Sequence, residues 1–130
     1  MMSTAAERPL GRVFAEALSR KNFDQLLTIL DPDVDFLGMT PFESWRASSA
    51  RELVEDILPR WFQELDDIQQ VISIETDAFS DCQHVAYRFK GENPDGPFEV
   101  EEQAYYTERD GRIDWLRILC SGFRPKLPAR

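Results

Sequence analysis

The chain has 130 residues, 42% hydrophobic and 30% charged, and its acidic residues outnumber the basic ones 24 to 15, for a net charge of −9. That length suits one domain, residues 1–130, with a core from about 9 to 123 and loose termini at 1–8 and 124–130. The negative charge repels phosphate backbones and anionic lipid, which argues against nucleic acid and membranes as partners. No apolar run approaches a membrane span, and residues 1–7 lack the basic-then-apolar build of a secretion signal. Two cysteines, Cys82 and Cys120, are too few for a disulfide scaffold, so a cytoplasmic location is expected.

Leu10, Val13, Phe14, Ala17 and Leu18 fall at helical spacing behind Pro9, which predicts a helix over 9–20. Asn22 is placed to cap a second helix with Phe23, Leu26, Leu27 and Leu30 on its apolar side. Asp31-Pro32-Asp33 stops it, and 34–37 reads as a short strand. Residues 38–48 hold Pro41 and few periodic signals, so they read as a loop across one mouth of the domain. Ser49-Ala50-Arg51-Glu52 fits a capping box. The third helix it opens carries Leu53, Val54, Ile57, Leu58, Trp61, Phe62 and Leu65, with Pro59 expected to kink or divide it.

Strands follow at 68–76, 83–91, 98–108 and 112–123, joined by the turn-rich run Gly91-Glu92-Asn93-Pro94-Asp95-Gly96 and by Arg109-Asp110-Gly111. The last two strands carry bulky residues on both faces, so one face is expected under the helices and the other against a partner. The order α-α-β-α-β-β-β-β describes an α+β fold with three N-terminal helices on one face of a curved sheet.

Phe14-Ala15-Glu16-Ala17-Leu18, Asn22-Phe23-Asp24-Gln25-Leu26-Leu27, Leu30-Asp31-Pro32-Asp33-Val34-Asp35-Phe36 and Glu108-Arg109-Asp110-Gly111-Arg112-Ile113 together resemble the nuclear transport factor 2-like superfamily. The resemblance is to its SnoaL-like (polyketide cyclase and ketosteroid isomerase-like) branch and covers 10–123. These motifs are turn and core features, specific for the fold and weak for function. The resemblance implies a cystatin-like, cone-shaped, antiparallel or mixed sheet around an apolar pocket, closed by the helices and often paired through its outer face. It also implies that Gln83, Val85, Tyr87, Phe89, Glu101, Gln103, Tyr105, Leu116, Ile118 and Cys120 point inward. His84, Arg88, Tyr106, Trp115, Arg117 and Leu119 then lie outside, as the face of a homodimer. One bulge would invert part of a strand.

The catalytic sets of the superfamily are missing at the aligned positions. A ketosteroid-isomerase set needs a tyrosine, a base and a second acid, and Phe14, Gly38 and Gln103 stand there. An epoxide-hydrolase set meets Gln83, Val85 and Ile118, with Phe36 and Gly38 for its helpers. Scytalone dehydratases pair histidines, and His84 is the only one in this chain. His84 therefore reads as a sheet-surface or subunit-contact residue, and no metal or cofactor is expected. Cys120 reads as a small core residue, and the two cysteines fall on strands that are not neighbours in the family's sheet.

Phe14, Phe36, Trp61, Phe62, Tyr87 and Tyr105 either wall a ligand pocket or fill the cone; the polar atoms of Gln103 and the tyrosines favour a pocket. The expected ligand-binding set is Phe14, Phe36, Trp61, Val85, Tyr87, Gln103, Tyr105, Leu116, Ile118 and Cys120, and the expected ligand a small, mostly apolar metabolite. An isomerase, cyclase or dehydratase is the alternative, with Glu101 or Asp114 as proton carrier and Tyr105 or Gln103 polarising an oxygen. For Glu101 the competing reading is a solvated strand end shared with Glu99 and Glu102. A protein-interaction module is the third possibility.

Overall fold

The computed structural model describes residues 8–125, so most of the two expected loose termini lies outside the described residues. Helix α1, Leu10–Ser19, and helix α2, Phe23–Ile29, form as expected, and the Asn22 side chain accepts the backbone N–H of Gln25 at 3.2 Å to cap α2. Strand β1, Leu30–Thr40, begins directly after α2 and is far longer than the four residues predicted. Pro32 is tolerated there because β1 slips register between Leu30 and Asp35, where no ladder bond needs its missing N–H.

The expected loop at 38–48 is instead the end of β1, a turn at Pro41-Phe42 and strand β2, Glu43–Ala47. Gly38, expected to begin that loop, lies inside β1, and its role is clearance. A Cβ there would come within 2.6 Å of the Phe36 and Trp61 rings. The third helix, α3, is a π-wound stretch, Glu52–Ile57, running into an α-helical turn, Leu58–Trp61. Ser49 Oγ accepts the Glu52 N–H at 3.1 Å, while the Glu52 carboxylate accepts the N–H of Ser48 at 3.0 Å, one residue before the expected partner. The winding changes between Ile57 and Leu58, just ahead of Pro59, and Leu65 lies exposed beyond the helix end.

Strands β3, Asp67–Phe79, β4, Cys82–Asn93, β5, Gly96–Arg109, and β6, Arg112–Cys120, form an antiparallel meander. The sheet runs β2-β1-β6-β5-β4-β3, with β1 and β6 parallel and the other neighbours antiparallel. A short strand β7, Arg124–Pro125, pairs with β5 at Phe98 and Glu99, so the inner end of the tail expected to be loose is ordered. Arg8, at the other end, reaches the Glu16 carboxylate on α1. The helices cover one face of the sheet, and the core lies between them.

The largest departure from expectation is the facing of β5. Val85, Tyr87, Phe89, Leu116, Ile118 and Cys120 point inward as expected, but Glu101, Gln103 and Tyr105 lie on the outer face. The inward set on β5 is Phe98, Val100, Glu102, Ala104 and Tyr106. The cause is a bulge. Arg109 pairs with Arg112 and Glu108 with Ile113, but Thr107 pairs with Trp115, leaving Asp114 as an extra residue. Beyond it Tyr106 opposes Leu116, Ala104 opposes Ile118 and Glu102 opposes Cys120. Residues directly opposed in an antiparallel ladder share a face, so one inserted residue exchanges the two faces of the whole strand.

Tyr106 is thereby taken from the expected dimer face into the core. Its hydroxyl accepts the Gly11 N–H at 2.8 Å, satisfying a donor in the first turn of α1 that has no partner within the helix. The ring passes so close that a Cβ on Gly11 would sit 2.8 Å from it. Removing the Tyr106 hydroxyl (Tyr106→Phe) is expected to cost about 1–3 kcal/mol in urea unfolding, because it leaves a buried N–H unpaired. Tyr105→Phe, on the outer face, is expected to change stability by less than about 0.5 kcal/mol.

Candidate functional site

The interior of the cone holds one buried charged residue among the described residues, Glu102, which is 1% exposed. It stands in the middle of the inward row of β5, between Val100 and Ala104, and its neighbours across the ladder are Tyr87 on β4 and Cys120 on β6. The Tyr87 hydroxyl donates to Glu102 Oε1 at 2.5 Å. Glu102 Oε2 has no hydrogen-bond partner among the described residues, and neither has the indole Nε1 of Trp61 on α3. Around these groups Tyr87 packs on Phe89 at 5.3 Å between centroids and on Phe14 at 6.4 Å, and Trp61 packs on Phe36 at 5.9 Å.

Burial sets the electrostatics. Removing the Glu102 carboxyl from water raises its pKa from the ordinary 4.5 to about 7, against the smaller opposing pull of the Tyr87 hydrogen bond and the adjacent Cys120 thiol. The Tyr87 hydroxyl is pushed well up, by burial first and then by the Glu102 charge, so it remains a donor. Cys120 is raised for the same two reasons, and Gly122 N–H donates to its sulfur at 3.4 Å. It is a protonated core thiol and no nucleophile. With Oε1 occupied by Tyr87, Oε2 is the oxygen free to give or take a proton near neutral pH.

Of the expected ligand-binding residues, Phe14, Phe36, Trp61, Val85, Tyr87, Leu116, Ile118 and Cys120 are buried in the cone, and Gln103 and Tyr105 are outside it. None of the four expected catalytic candidates faces the interior. Glu101 accepts Arg88 Nη2 at 2.5 Å and Gln103 Nε2 at 3.3 Å, and these two partners hold its carboxyl below the usual range. Asp114 is the bulged residue and accepts the Thr107 hydroxyl at 2.6 Å. His84 bridges Asp77 and Gln103, at 2.7 Å each, and its ring lies 4.8 Å from that of Tyr105 on the outer face.

Of the aromatic residues expected to wall a pocket, Phe14, Phe36, Trp61, Phe62 and Tyr87 pack against other rings in the core, and Tyr105 lies outside it. Hollows of 150 to 420 Å³ indent the described surface, and none is lined by Glu102, Tyr87 or Trp61. Glu102 itself was missed because it was grouped with Glu99 and Glu101 at a solvated strand end. The available signal was the alternation Phe98, Val100, Glu102, Ala104, Tyr106, an acid in the centre of an otherwise apolar row.

No family model matches the chain, and no curated protein matches it in sequence. Solved structures do match. A Catenulispora acidiphila protein with a ketosteroid isomerase-like fold, in complex with trimethylamine, is 14% identical, covering 83% of this chain and 82% of its own, at a TM-score of 0.66. An NTF2-like protein from Burkholderia thailandensis is 19% identical over 88% of this chain and 92% of its own, at 0.61. An epoxide hydrolase of M. tuberculosis, described as LEH-like, is 18% identical over 83% and 77%, at 0.59. The chain has the nuclear transport factor 2-like fold, and other structures sharing it are named for isomerase and polyketide cyclase activity.

The raised carboxyl makes stability depend on pH. Between 4.5 and about 7 the folded chain keeps a proton that the unfolded chain has released. Stability therefore falls as pH rises through that window, by about 3 kcal/mol in all, and levels off above it. Glu102→Gln, which cannot ionise, is expected to abolish that slope in urea titrations run from pH 4.5 to 8.

Proposed function

We propose that this chain binds a small, mostly apolar, oxygen-bearing molecule inside the cone, of polyketide-, terpene- or steroid-like character, and that Glu102 carries a proton for it. The reaction class is that of an isomerase, cyclase or dehydratase. The observation that carries the reading is the unpartnered Oε2 of a wholly buried carboxyl. A buried polar atom without a partner costs about 1–3 kcal/mol, and a ligand oxygen would remove that cost. In the neutral form Oε2–H donates to a ligand oxygen. In the ionised form Oε2 takes a proton from a carbon next to a carbonyl and returns it elsewhere on the same skeleton, leaving the enzyme unchanged. Tyr87 holds Oε1 throughout, fixing which oxygen acts. The trimethylamine held by the Catenulispora neighbour supports a small-molecule site in this fold. No helix among the described residues is long and apolar enough to cross a membrane. Both cysteines are free thiols, which agrees with the cytoplasmic placement we propose.

A second reading concerns the outer face. Met39 and Leu119 are paired neighbours, 51% and 57% exposed, and Tyr105 and Phe79 continue the apolar band across the sheet with their rings 6.2 Å apart. His84, Arg88, Trp115 and Arg117 share that face; Tyr106 does not. We propose that the band is the contact of a homodimer, with a heterologous protein partner as the competing occupant.

2-Naphthol, an apolar bicycle with one hydroxyl, is a suitable probe for the cone by fluorescence anisotropy. Glu102→Leu is expected to weaken its binding by about tenfold or more. Equal affinity in the variant would remove Glu102 from the role. Sedimentation equilibrium is expected to give twice the 15.1 kDa chain mass for the native protein and the single chain mass for Leu119→Asp. A native protein that sediments as a monomer would overturn the dimer.

A further inference from the structure

The interior is packed with side chains, so a ligand can reach Glu102 only if something moves. The helix α3 region, residues 50–62, is the cover. Leu53, Val54, Ile57, Leu58, Trp61 and Phe62 all point into the core from it. Its two ends are tied down by polar contacts outside the cone. At the start stand the reciprocal bonds among Ser48, Ser49 and Glu52. Just past the end, the Lys21 ammonium donates to the carbonyls of Gln63 at 2.5 Å and Glu64 at 3.4 Å, and Gln63 N–H donates to Asp66 at 2.9 Å.

Between those ties the backbone is irregular. Glu52–Ile57 is π-wound, and Pro59 has no N–H to return to the preceding turn. A π-turn holds about one residue more than an α-turn, and π-turns recur at functional sites. Passing that surplus residue along the helix rotates each residue it passes by about 100° while exchanging few hydrogen bonds, and a surplus carried to the helix end turns Trp61 as well. Trp61 lies downstream. Its Nε1 is buried and without a partner among the described residues, and it is the indole side chain that the α3 turn lays over Phe36 and Gly38.

We propose that residues 50–62 form a lid whose π-wound turn swings Trp61 out of the cone and back, and that the returning indole N–H donates to an oxygen of the bound molecule. The second half of this inference rests on the Glu102 reading. It also narrows the ligand class to molecules offering acceptor oxygens both to the acid and to the indole, such as hydroxy-ketones and diketones. The lid itself rests on the backbone alone.

Native-state hydrogen exchange of the free protein tests the lid without any ligand. The amides of 54–58, 60 and 61 are expected to exchange about tenfold or more faster, relative to their intrinsic rates, than the central amides of β4 and β5, through an opening insensitive to low urea. Pro59→Ala, which restores an N–H to the turn, is expected to slow that exchange about threefold or more. Protection equal to that of β4 and β5 would overturn the lid. For the contact, Trp61→Phe keeps an aromatic ring and loses the donor. It is expected to weaken binding of 6-hydroxy-2-acetonaphthone, which has an oxygen at each end, by about fivefold or more. The same variant is expected to weaken 2-naphthol binding by less than it weakens the two-oxygen probe, the one oxygen of 2-naphthol being engaged by Glu102. Equal affinity of Trp61→Phe and native protein for the two-oxygen probe overturns the contact. If the native protein binds neither probe, the Glu102 reading and the Trp61 contact fall together, and the exchange data still decide the lid.

Discussion

The bulge at Asp114 sets which half of β5 the rest of the molecule can use. Without the inserted residue, the hairpin between β5 and β6 would set Tyr105 against Leu116 and Gln103 against Ile118. With it, Tyr106 and Ala104 take those places, and every other residue of β5 changes sides. Two consequences depend on this one step. The interior receives Phe98, Val100, Ala104 and Tyr106, which complete an apolar core, and it also receives Glu102. The outside receives Tyr105, whose ring lies beside His84, and Glu101 and Gln103, which join His84, Asp77 and Arg88 in a hydrogen-bonded ladder across three strands.

A carboxyl in that core is tolerable only in a particular form. Burying an isolated carboxylate costs several kcal/mol, so the group meets its surroundings as a neutral acid up to near-neutral pH. Tyr87 satisfies one oxygen, and the aromatic contacts around it contribute on the order of 1 kcal/mol each beyond the area they bury. Those rings and the unpaired oxygen act in opposite directions. The first hold the cone shut; the second is relieved only when something polar enters. A π-wound cover over such an interior reconciles the two demands, because a closed state can be dense and still yield.

Much of the fold was legible in the chain. The helix starts at Pro9 and Asn22, the capping pattern at Ser49, and the Arg109-Asp110-Gly111 turn all act through local chemistry, and local chemistry is written in adjacent residues. The failures were non-local. Gly38 and Pro41 read as loop residues, yet Gly38 is small because Trp61, 23 positions later in the chain, crosses above it. The facing of β5 failed for a related reason. Both of its faces carry bulky residues, so alternation could not choose between them, and the family comparison carried an unbulged register onto a bulged hairpin. Glu102 was therefore grouped with solvated acids, although Val100 and Ala104 beside it marked an apolar row.

The parallel pairing of β1 with β6 closes this sheet, and it joins residues some eighty positions apart, such as Phe36 and Leu116. A chain emerging from the ribosome completes α1, α2 and the β1–β2 hairpin long before β6 exists to receive them. Until then the hairpin has an open hydrogen-bonding edge and an uncovered apolar face, the kind of surface that seeks a partner in another molecule. Late closure of this sort slows folding, since a long loop must be ordered before any contact rewards it. Newly made copies are thus most vulnerable to mispairing during the interval between the synthesis of β1 and that of β6.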